Sequence, residues 1–219
     1  MNELFPLYLS LYISCLSTVI LLLFSIPIAW FLVGKKNIFK RITEIIVTLP
    51  LVLSPTILGF YLLIIFNQDA VLGKLWFRLF GSTIMFSMSG LVIGSIIYSL
   101  PFAIQPIQVA FSKISIEIID QAYLLQLSKL SIFIKIIIPL SKNGILTSII
   151  LTFVHTLGEF GVVLMIGGNI PGKTQVVSIA IYESVEMLNY SVTHQLSLIV
   201  LIISVIILLI LFSVNKRDY

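Results

Sequence analysis

Long apolar runs divide the chain, and short polar connectors separate them. Each run is close to or above the roughly 20 residues that span a bilayer, and none shows the strict alternation of a barrel strand. Because a bilayer offers no water to backbone groups, such runs must form helices. The pattern therefore predicts an all-α, polytopic membrane bundle with about five transmembrane helices, at residues 7–33, 42–66, 83–110, 144–166 and 195–214.

The second run contains two prolines, Pro50 and Pro55, five residues apart. Proline lacks the amide donor that continues a helix, so this span is expected to break or bend. Breaks inside a membrane are tolerated where freed carbonyl groups face protein or a wet cavity. Pro50 and Pro55 are therefore either packing kinks or candidates for a segment that lines or gates a pathway.

One segment, residues 113–143, departs from the pattern of apolar runs because polar residues recur in it every few positions. Glu117 and Gln121 share one helix face, and apolar residues occupy another. A second helical stretch is predicted from about Ser128 toward Pro139. A hairpin of this kind either links two spans or serves as a docking site for a soluble partner, and periodicity alone does not separate these alternatives.

The placement of positive charge predicts the orientation of the spans. Cytoplasmic loops of membrane proteins carry an excess of Lys and Arg. Of the 13 such residues, Lys74, Arg78 and Lys173 lie on one side of the predicted bundle, and ten lie on the other. The N-terminus is therefore expected outside, with the C-terminus and the hairpin in the cytoplasm. The ten residues are Lys35, Lys36, Lys40, Arg41, Lys113, Lys129, Lys135, Lys142, Lys216 and Arg217.

Composition supports a membrane protein and limits the possible chemistry. The chain is 59% hydrophobic and 10% charged, with a mean hydropathy of +1.16, whereas soluble domains carry about 25% charged residues. The net charge of +4 is small, and no nucleic acid partner is expected. Cys15 is the single cysteine, so no disulfide or cysteine-based metal site is expected within one chain. The lipid bilayer is the expected surrounding, and no cofactor is predicted.

His155 and Glu159 are the ionisable residues within the fourth predicted span. They are four residues apart and would share a face of a continuous helix. Ionisable groups at membrane depth are costly and often functional. The pair is either a structural hydrogen bond or ion pair, a pathway or gate element, or a metal pair. The metal alternative lacks an evident third ligand, and no metal site is predicted.

Residues 167–174 read GGNIPGKT and satisfy the phosphate-loop pattern G-x-x-x-x-G-K-[ST]. That motif requires a preceding strand of a soluble sheet, whereas a membrane span precedes it here. Pro171 also removes one amide that such a loop could use. The segment is therefore predicted to be a tight external turn, followed by a short amphipathic helix at 176–190. Residues 67–82 are predicted as a connector near the membrane interface.

Three stretches resemble the permeases of ABC importers, and in particular molybdate permeases. These importers carry a cytoplasmic motif of E-A-A, three residues, Gly, nine residues and I-x-L-P. Aligned on Pro139, this chain keeps the spacing, with Asp120-Gln121-Ala122, Gln126 and Ile136-Ile137-Ile138-Pro139. The segment at 49–56, LPLVLSPT, resembles the LPLVLPP segment of molybdate permeases. The segments at 157–161, LGEFG, and 168–175, GNIPGKTQ, resemble their LGEFG and GNIPG-x-T stretches.

The resemblance implies a single transmembrane permease domain over residues 1–219, with a core at about 9–212 and the coupling hairpin at 113–143. It implies an ABC type I importer permease fold, with a pathway between two copies of the chain. The implied partners are a cytoplasmic ABC ATPase dimer and an external oxyanion-binding protein, so the chain itself is not expected to be an enzyme. Molybdate is the expected substrate. Tungstate, sulfate or thiosulfate, and an ion-coupled secondary transporter, are the alternatives.

The resemblance also assigns candidate sites. The ATPase-coupling candidates are Glu117, Asp120, Gln121, Ala122, Gln126 and Pro139. The pathway or gate candidates are Pro50, Pro55, His155, Glu159 and Asn169. Gln126 stands where the motif has glycine, which adopts the left-handed conformation cheaply at helix ends. The turn is therefore expected to shift toward Leu127–Ser128.

Overall fold

A computed structural model describes residues 4–34 and 37–215 of the chain, and every regular element in these ranges is helical. Lys35, Lys36, Lys216 and Arg217, which contribute to the predicted orientation, lie outside the described residues. The helices are α1 (Phe5–Leu32), α2 (Ile38–Val52), α3 (Pro55–Phe66), α4 (Val71–Phe80), α5 (Met88–Ser112), α6 (Ile116–Leu124), α7 (Lys129–Ile132), a π-helical segment (Phe133–Ile137), α8 (Ile138–Leu140), α9 (Lys142–Leu157), α10 (Gly161–Gly167), α11 (Val177–Glu186) and α12 (Tyr190–Asn215).

The predicted membrane bundle is confirmed. Three of the described helices, α1, α5 and α12, are long and apolar enough to cross a membrane unbroken. Two bent pairs raise the number of candidate spans to as many as five: α2 with α3, which meet at 118°, and Lys129–Leu140 with α9, which meet at 69°.

The first bend lies where the prolines predict it. Pro50 is inside α2, and Pro55 occupies the first turn of α3. Between the helices, Leu53 and Ser54 are extended, and the Ser54 hydroxyl accepts a hydrogen bond from the amide of Ile57 at 3.3 Å. Pro55 lacks an amide to donate, and a first-turn position needs none, so α3 begins there at little cost.

The prediction of one continuous helix over 144–166 is wrong. Helix α9 ends at Leu157, and α10 begins at Gly161, with Phe160 in a non-helical conformation between them. Glu159 therefore lies in the break rather than on a face of α9. The apolar run hides this break because it contains no proline and stays hydrophobic on both sides.

The connector at 67–82 contains a helix that its sequence pattern did not reveal. In α4, Gly73 lies against the end of α3, where a Cβ atom would come within 1.9 Å of the Asn67 carbonyl oxygen. The helix ends at Gly81, whose φ of +66° is a left-handed conformation that glycine adopts without strain. The close approach at Gly73 folds α4 back against α3.

Helix α5 is at the centre of the bundle and packs mainly against α1 and α9. In its most apolar window, 56% of the residues are buried, against 11% for α12, which lies at the periphery. The α5–α9 contact is close: the Ser148 hydroxyl donates to the Ala103 carbonyl oxygen at 2.6 Å. At Gly144, the absence of a side chain lets α9 approach Ala110 of α5. These two helices carry the cavities described below.

The segment 167–175 is a tight turn, and the short helix predicted after it is present as α11. The Thr174 side chain is fully buried, and its hydroxyl donates to the Gly167 carbonyl oxygen at 2.7 Å. The same hydroxyl accepts from the amide of Ile170 at 3.3 Å. Since no strand occurs in the described ranges, the structural context of a phosphate loop is missing there.

Candidate functional site

A cavity of about 580 Å³ opens at the breaks between α2 and α3 and between α9 and α10, and its largely apolar wall carries a few polar side chains; we call it the break cavity. Its walls include Pro55, His155 and Glu159, three of the five residues predicted as pathway or gate candidates. The other two lie elsewhere. Pro50 is buried within α2, and Asn169 is exposed in the turn after α10. The cavity therefore joins two sequence segments that are about 100 residues apart.

The ring of His155 is held on several sides by α5. Its Nδ1 lies 3.0 Å from the Ser99 hydroxyl, which in turn lies 3.0 Å from the Thr156 hydroxyl. The ring stacks on Phe102, with centroids 4.0 Å apart and planes at 26°, and packs against Tyr98 at 4.8 Å. These contacts fix the imidazole at the wall of the break cavity.

Glu159 connects three elements at the break. Its Oε1 accepts a hydrogen bond from the Val162 amide at 2.9 Å, which caps the first turn of α10. Its backbone carbonyl accepts from the Ser178 hydroxyl of α11 at 2.5 Å. The side chain is 5% exposed, and Oε2 has no hydrogen-bond partner within the described part of the chain. The predicted shared helix face with His155 is absent because Glu159 lies outside α9.

No group of three or more potential metal ligands occurs among residues 4–34 and 37–215. His155 and Glu159 both line the break cavity, but no third ligand joins them there. The arrangement offers hydrogen-bonding groups rather than a coordination sphere.

The hairpin exposes most of the predicted coupling residues and uses one of them as an anchor. Asp120, Gln121 and Pro139 are exposed. Ala122 is buried, at 3% exposure, in a core cluster with Phe111 of α5. Helix α6 therefore rests on the bundle through Ala122 and presents its polar side outward. Leu124 and Leu125, shortly after Ala122, are apolar and strongly exposed, at 83% and 76%.

The expected shift of the turn at Gln126 is wrong. Gln126 adopts the left-handed conformation itself, with φ of +61°. Its amide donates to the Tyr123 carbonyl oxygen at 2.9 Å, and the Leu127 amide donates to the Ala122 carbonyl oxygen at 3.2 Å. This pair of bonds is the Schellman motif, in which glycine is the usual left-handed residue. Glutamine therefore takes the position of the family glycine at a conformational cost.

Glu117 lies at the exposed start of α6. The Ser115 hydroxyl donates a hydrogen bond to the Glu117 carboxylate and so lowers the pKa of that carboxyl group from its usual value of 4.5. An acidic group in the first turn also interacts favourably with the helix dipole. Glu117 is therefore negatively charged at neutral pH at the start of α6.

A second opening of about 860 Å³ lies beside the hairpin; we call it the hairpin groove. Its walls include Gln105 of α5, Asn143 and Thr147 of α9, and Lys113 and Ser115 at the start of the hairpin. The same helix pair, α5 and α9, thus lines the break cavity near one end and the hairpin groove near the other. Polar access exists at both ends of this pair.

Three polar residues at or beside the break cavity were not selected from the sequence: Thr56, Tyr98 and Ser99. Thr56 and Tyr98 line the cavity, and Ser99 holds His155. A signal for Tyr98 exists, since it lies seven residues before Gln105 and therefore on a similar face of α5. Serine and threonine within apolar runs are too common to identify a site without the partner helix.

A helical membrane bundle with two openings along one helix pair is typical of membrane transport proteins. Comparison with known proteins makes this specific. Residues 22–217 match the family described as binding-protein-dependent transport system inner membrane component, and the chain belongs to this family. It is therefore a multi-pass membrane subunit of an importer system that depends on a binding protein.

Several relatives match over most of their length. The molybdenum transport system permease protein ModB of Azotobacter vinelandii is 41% identical over 98% of this chain and 95% of that protein. The protein of the same name from Haemophilus influenzae is 32% identical over 98% of this chain and 94% of its own length. A probable sulfate transport system permease protein, cysT of Anthoceros angustus, is 32% identical over 91% of this chain and 70% of that protein.

Proposed function

We propose that the chain is the membrane subunit of an ATP-driven molybdate importer. The observation that carries this proposal is the 41% identity to ModB of Azotobacter vinelandii over nearly the whole of both chains. The sulfate relative covers a smaller share of both chains, which favours molybdate over sulfate as the substrate. ATP hydrolysis belongs to a separate ATPase subunit, and the permease performs no chemistry of its own.

Two copies of the chain form the pathway between them, and each docks its hairpin on one subunit of a cytoplasmic ATPase dimer. The exposed residues of α6 and its tip, Glu117, Asp120, Gln121 and Gln126, contact the ATPase, while Ala122 holds the helix to the bundle. Pro139 lies in α8, where the hairpin returns toward α9. Closure of the ATPase pair then moves the hairpin as a rigid element and shifts the balance between two states of the gate.

The pathway follows α5 and α9 from the break cavity to the hairpin groove. Pro55, His155 and Glu159 line its external part, Pro50 supports the α2–α3 bend, and Asn169 lies at the external mouth. This orientation places the N-terminus outside and the C-terminus in the cytoplasm of a cell membrane, in agreement with ten positive charges against three. An external oxyanion-binding protein delivers the substrate to this mouth.

Reconstitution tests the proposal. The permease, its ATPase and its binding protein are placed in proteoliposomes, and uptake of labelled molybdate, tungstate, sulfate and thiosulfate is measured with and without ATP. We expect ATP-dependent uptake with molybdate preferred. Preference for tungstate, sulfate or thiosulfate would reassign the substrate, and uptake without the ATPase, driven by an ion gradient, would support a secondary transporter.

The coupling role of α6 has a matched test. Gln121→Pro breaks the helix, whereas Gln121→Ala keeps it and removes only the amide. We expect the proline variant to insert into the membrane but to lose stimulated ATP hydrolysis, and the alanine variant to retain most of it. Normal stimulated hydrolysis in the proline variant would exclude α6 as the coupling element.

A further inference from the structure

We propose that the break cavity is a transit site that holds a tetrahedral oxyanion through the uncharged hydrogen-bond donors of Thr56, Tyr98 and His155. This inference rests on the proposed import function, and it adds a binding site within the permease. The cavity lining in the described residues includes these three donors and contains no Lys or Arg. The anion is therefore recognised by hydrogen bonds rather than by a positive charge.

The strongest donor is the ring of His155, because its orientation is fixed. The Ser99 hydroxyl lies 3.0 Å from both Nδ1 of His155 and the Thr156 hydroxyl. In the proposed site Ser99 accepts from Thr156 and donates to Nδ1, which leaves the ring proton on Nε2. Stacking on Phe102 prevents the ring from turning away. Within the described part of the chain Nε2 has no partner, and His155 lines the cavity, so this edge of the ring is available to an anion.

Tyr98 and Thr56 complete the donor set from two other elements. Tyr98 is one helical turn from Phe102 on α5, and Thr56 is in the first turn of α3, so the two hydroxyl groups come from two different helices. The cavity of 580 Å³ corresponds to roughly 20 water volumes at about 30 Å³ each. A five-atom oxyanion fits in this space with part of its hydration shell.

Glu159 is consistent with an anion site only in its uncharged form. Its side chain is 95% buried, Oε1 accepts the Val162 amide, and Oε2 has no hydrogen-bond partner in the described ranges. In the proposed site Glu159 is the uncharged acid, the form that burial favours. Glu159 is therefore a positioning residue, an uncharged acid that holds the wall between α9 and α10 without repelling the anion.

Uncharged donors suit a site that the substrate must leave. Conduction requires a site favourable enough to enter and weak enough to release the ion to the next site. A lysine or arginine at this depth would hold a dianion more strongly and slow its exit. We therefore expect binding in the millimolar range, weaker than capture by an external binding protein.

The chain has only two histidines, His155 and His194, and this permits a direct test. The permease is labelled with ¹⁵N-histidine, placed in nanodiscs without ATPase or binding protein, and titrated with sodium molybdate against sodium chloride at equal ionic strength. We expect the Nε2 resonance of His155 to shift with millimolar saturation, while the exposed His194 does not respond. Tyr98→Phe should weaken the response several-fold. No shift at His155, or an equal shift at both histidines, overturns the proposal.

Transport gives a second measurement, which would not change if Tyr98 and His155 had only structural roles. In the reconstituted complex we measure molybdate delivered per ATP hydrolysed. Tyr98→Phe and His155→Phe, which keep their rings, should lower this ratio at least threefold with stimulated ATP hydrolysis within twofold of the original. Tyr61→Phe, an exposed tyrosine of α3 outside the cavity, should leave the ratio unchanged.

Glu159→Ala removes the carboxyl group that accepts the Val162 amide, and we expect it to weaken the His155 response. Glu159→Gln keeps a neutral acceptor for that amide and should recover part of the response; equal responses from the two variants would overturn the assignment of Glu159. The two readouts separate the proposals. A His155 shift in a complex that moves no oxyanion leaves the site standing and rejects the import function. Transport without a His155 shift, or with an unchanged ratio in both ring variants, rejects the site and leaves the import function standing.

Discussion

Gly144 controls how closely α5 and α9 pack, and its replacement by alanine tests that contact. A Cβ atom at Gly144 would lie 2.3 Å from Cβ of Ala110 and 2.9 Å from the carbonyl oxygen of Pro106. Neither atom belongs to a flexible side chain, so the helices themselves must separate. Inserting a methyl group into a packed core costs typically about 1–3 kcal/mol, and this contact belongs at the upper end. Alanine favours a helix over glycine by about 1 kcal/mol, so the net loss of folding stability is about 2 kcal/mol.

Gly158 offers the matched control, because a Cβ atom there would meet nothing closer than 3.7 Å and its φ is −89°. For a chain of this length, a net loss of about 2 kcal/mol lowers the melting temperature by roughly 4–8 °C. Thermal unfolding of the detergent-solubilised permease, followed by size-exclusion chromatography, measures this difference. Adding Ala110→Gly to Gly144→Ala should restore part of the loss, since it removes the shorter contact. Equal melting temperatures for Gly144→Ala and Gly158→Ala would refute the close packing of α5 and α9.

Three further predictions concern the hairpin and the turn at 167–175. Gln126→Gly should raise stability by up to about 1 kcal/mol, because glycine adopts the left-handed conformation without strain; a lower melting temperature would contradict the Schellman geometry. Thr174→Val should lower stability by about 1–3 kcal/mol by leaving the Gly167 carbonyl and the Ile170 amide unpaired. Thr193→Val, at a half-buried position whose hydroxyl makes only an exposed bond to the Asn189 carbonyl, should stay within about 0.5 kcal/mol. Ser115→Ala should raise the pKa of Glu117 toward 4.5, as measured by ¹³C carboxyl titration. Because the pKa of Glu117 is lower in the folded state, the Ser115–Glu117 bond stabilises the fold at neutral pH, and this contribution is lost as the pH falls through the folded-state pKa. An unchanged Glu117 titration in Ser115→Ala would exclude the Ser115 bond as the cause of the lowered pKa.

The elements that the sequence predicts well are those set by local chemistry. Apolar runs of membrane length identify α1, α5 and α12 without knowledge of their neighbours. Pro50 and Pro55 predict the bend between α2 and α3, because a missing amide acts on its own helix. The hairpin and α11 follow from polar residues at helical spacing. Each of these signals lies within a single segment of the chain.

Elements that depend on other segments could not be predicted in this way. The break at Glu159 is stabilised by the Ser178 hydroxyl, which is 19 residues away in sequence. His155 becomes part of a site only because Ser99, on another helix, holds its ring. At Gln126, the hydrogen bonds of the turn outweigh the low intrinsic preference of glutamine for the left-handed conformation. Local propensity therefore places the turn at the wrong residue. Pro55, His155 and Glu159, which were grouped as candidates from the sequence, line one cavity, while the hydroxyl groups of Thr56, Tyr98 and Ser99 were not selected.

The tight seam between α5 and α9 also has a mechanical consequence. Bonds and close contacts at Ser148, Gly144 and Thr156 run along nearly all of α9, so the pair has no interior point at which to flex. Bends occur instead at the two ends of α9, at Ser141 and at Gly158. The 16 residues of α9 make a lever arm of about 24 Å. A tilt of about 10° imposed at the hairpin would therefore displace the wall beside His155 by roughly 4 Å, more than the diameter of a water molecule.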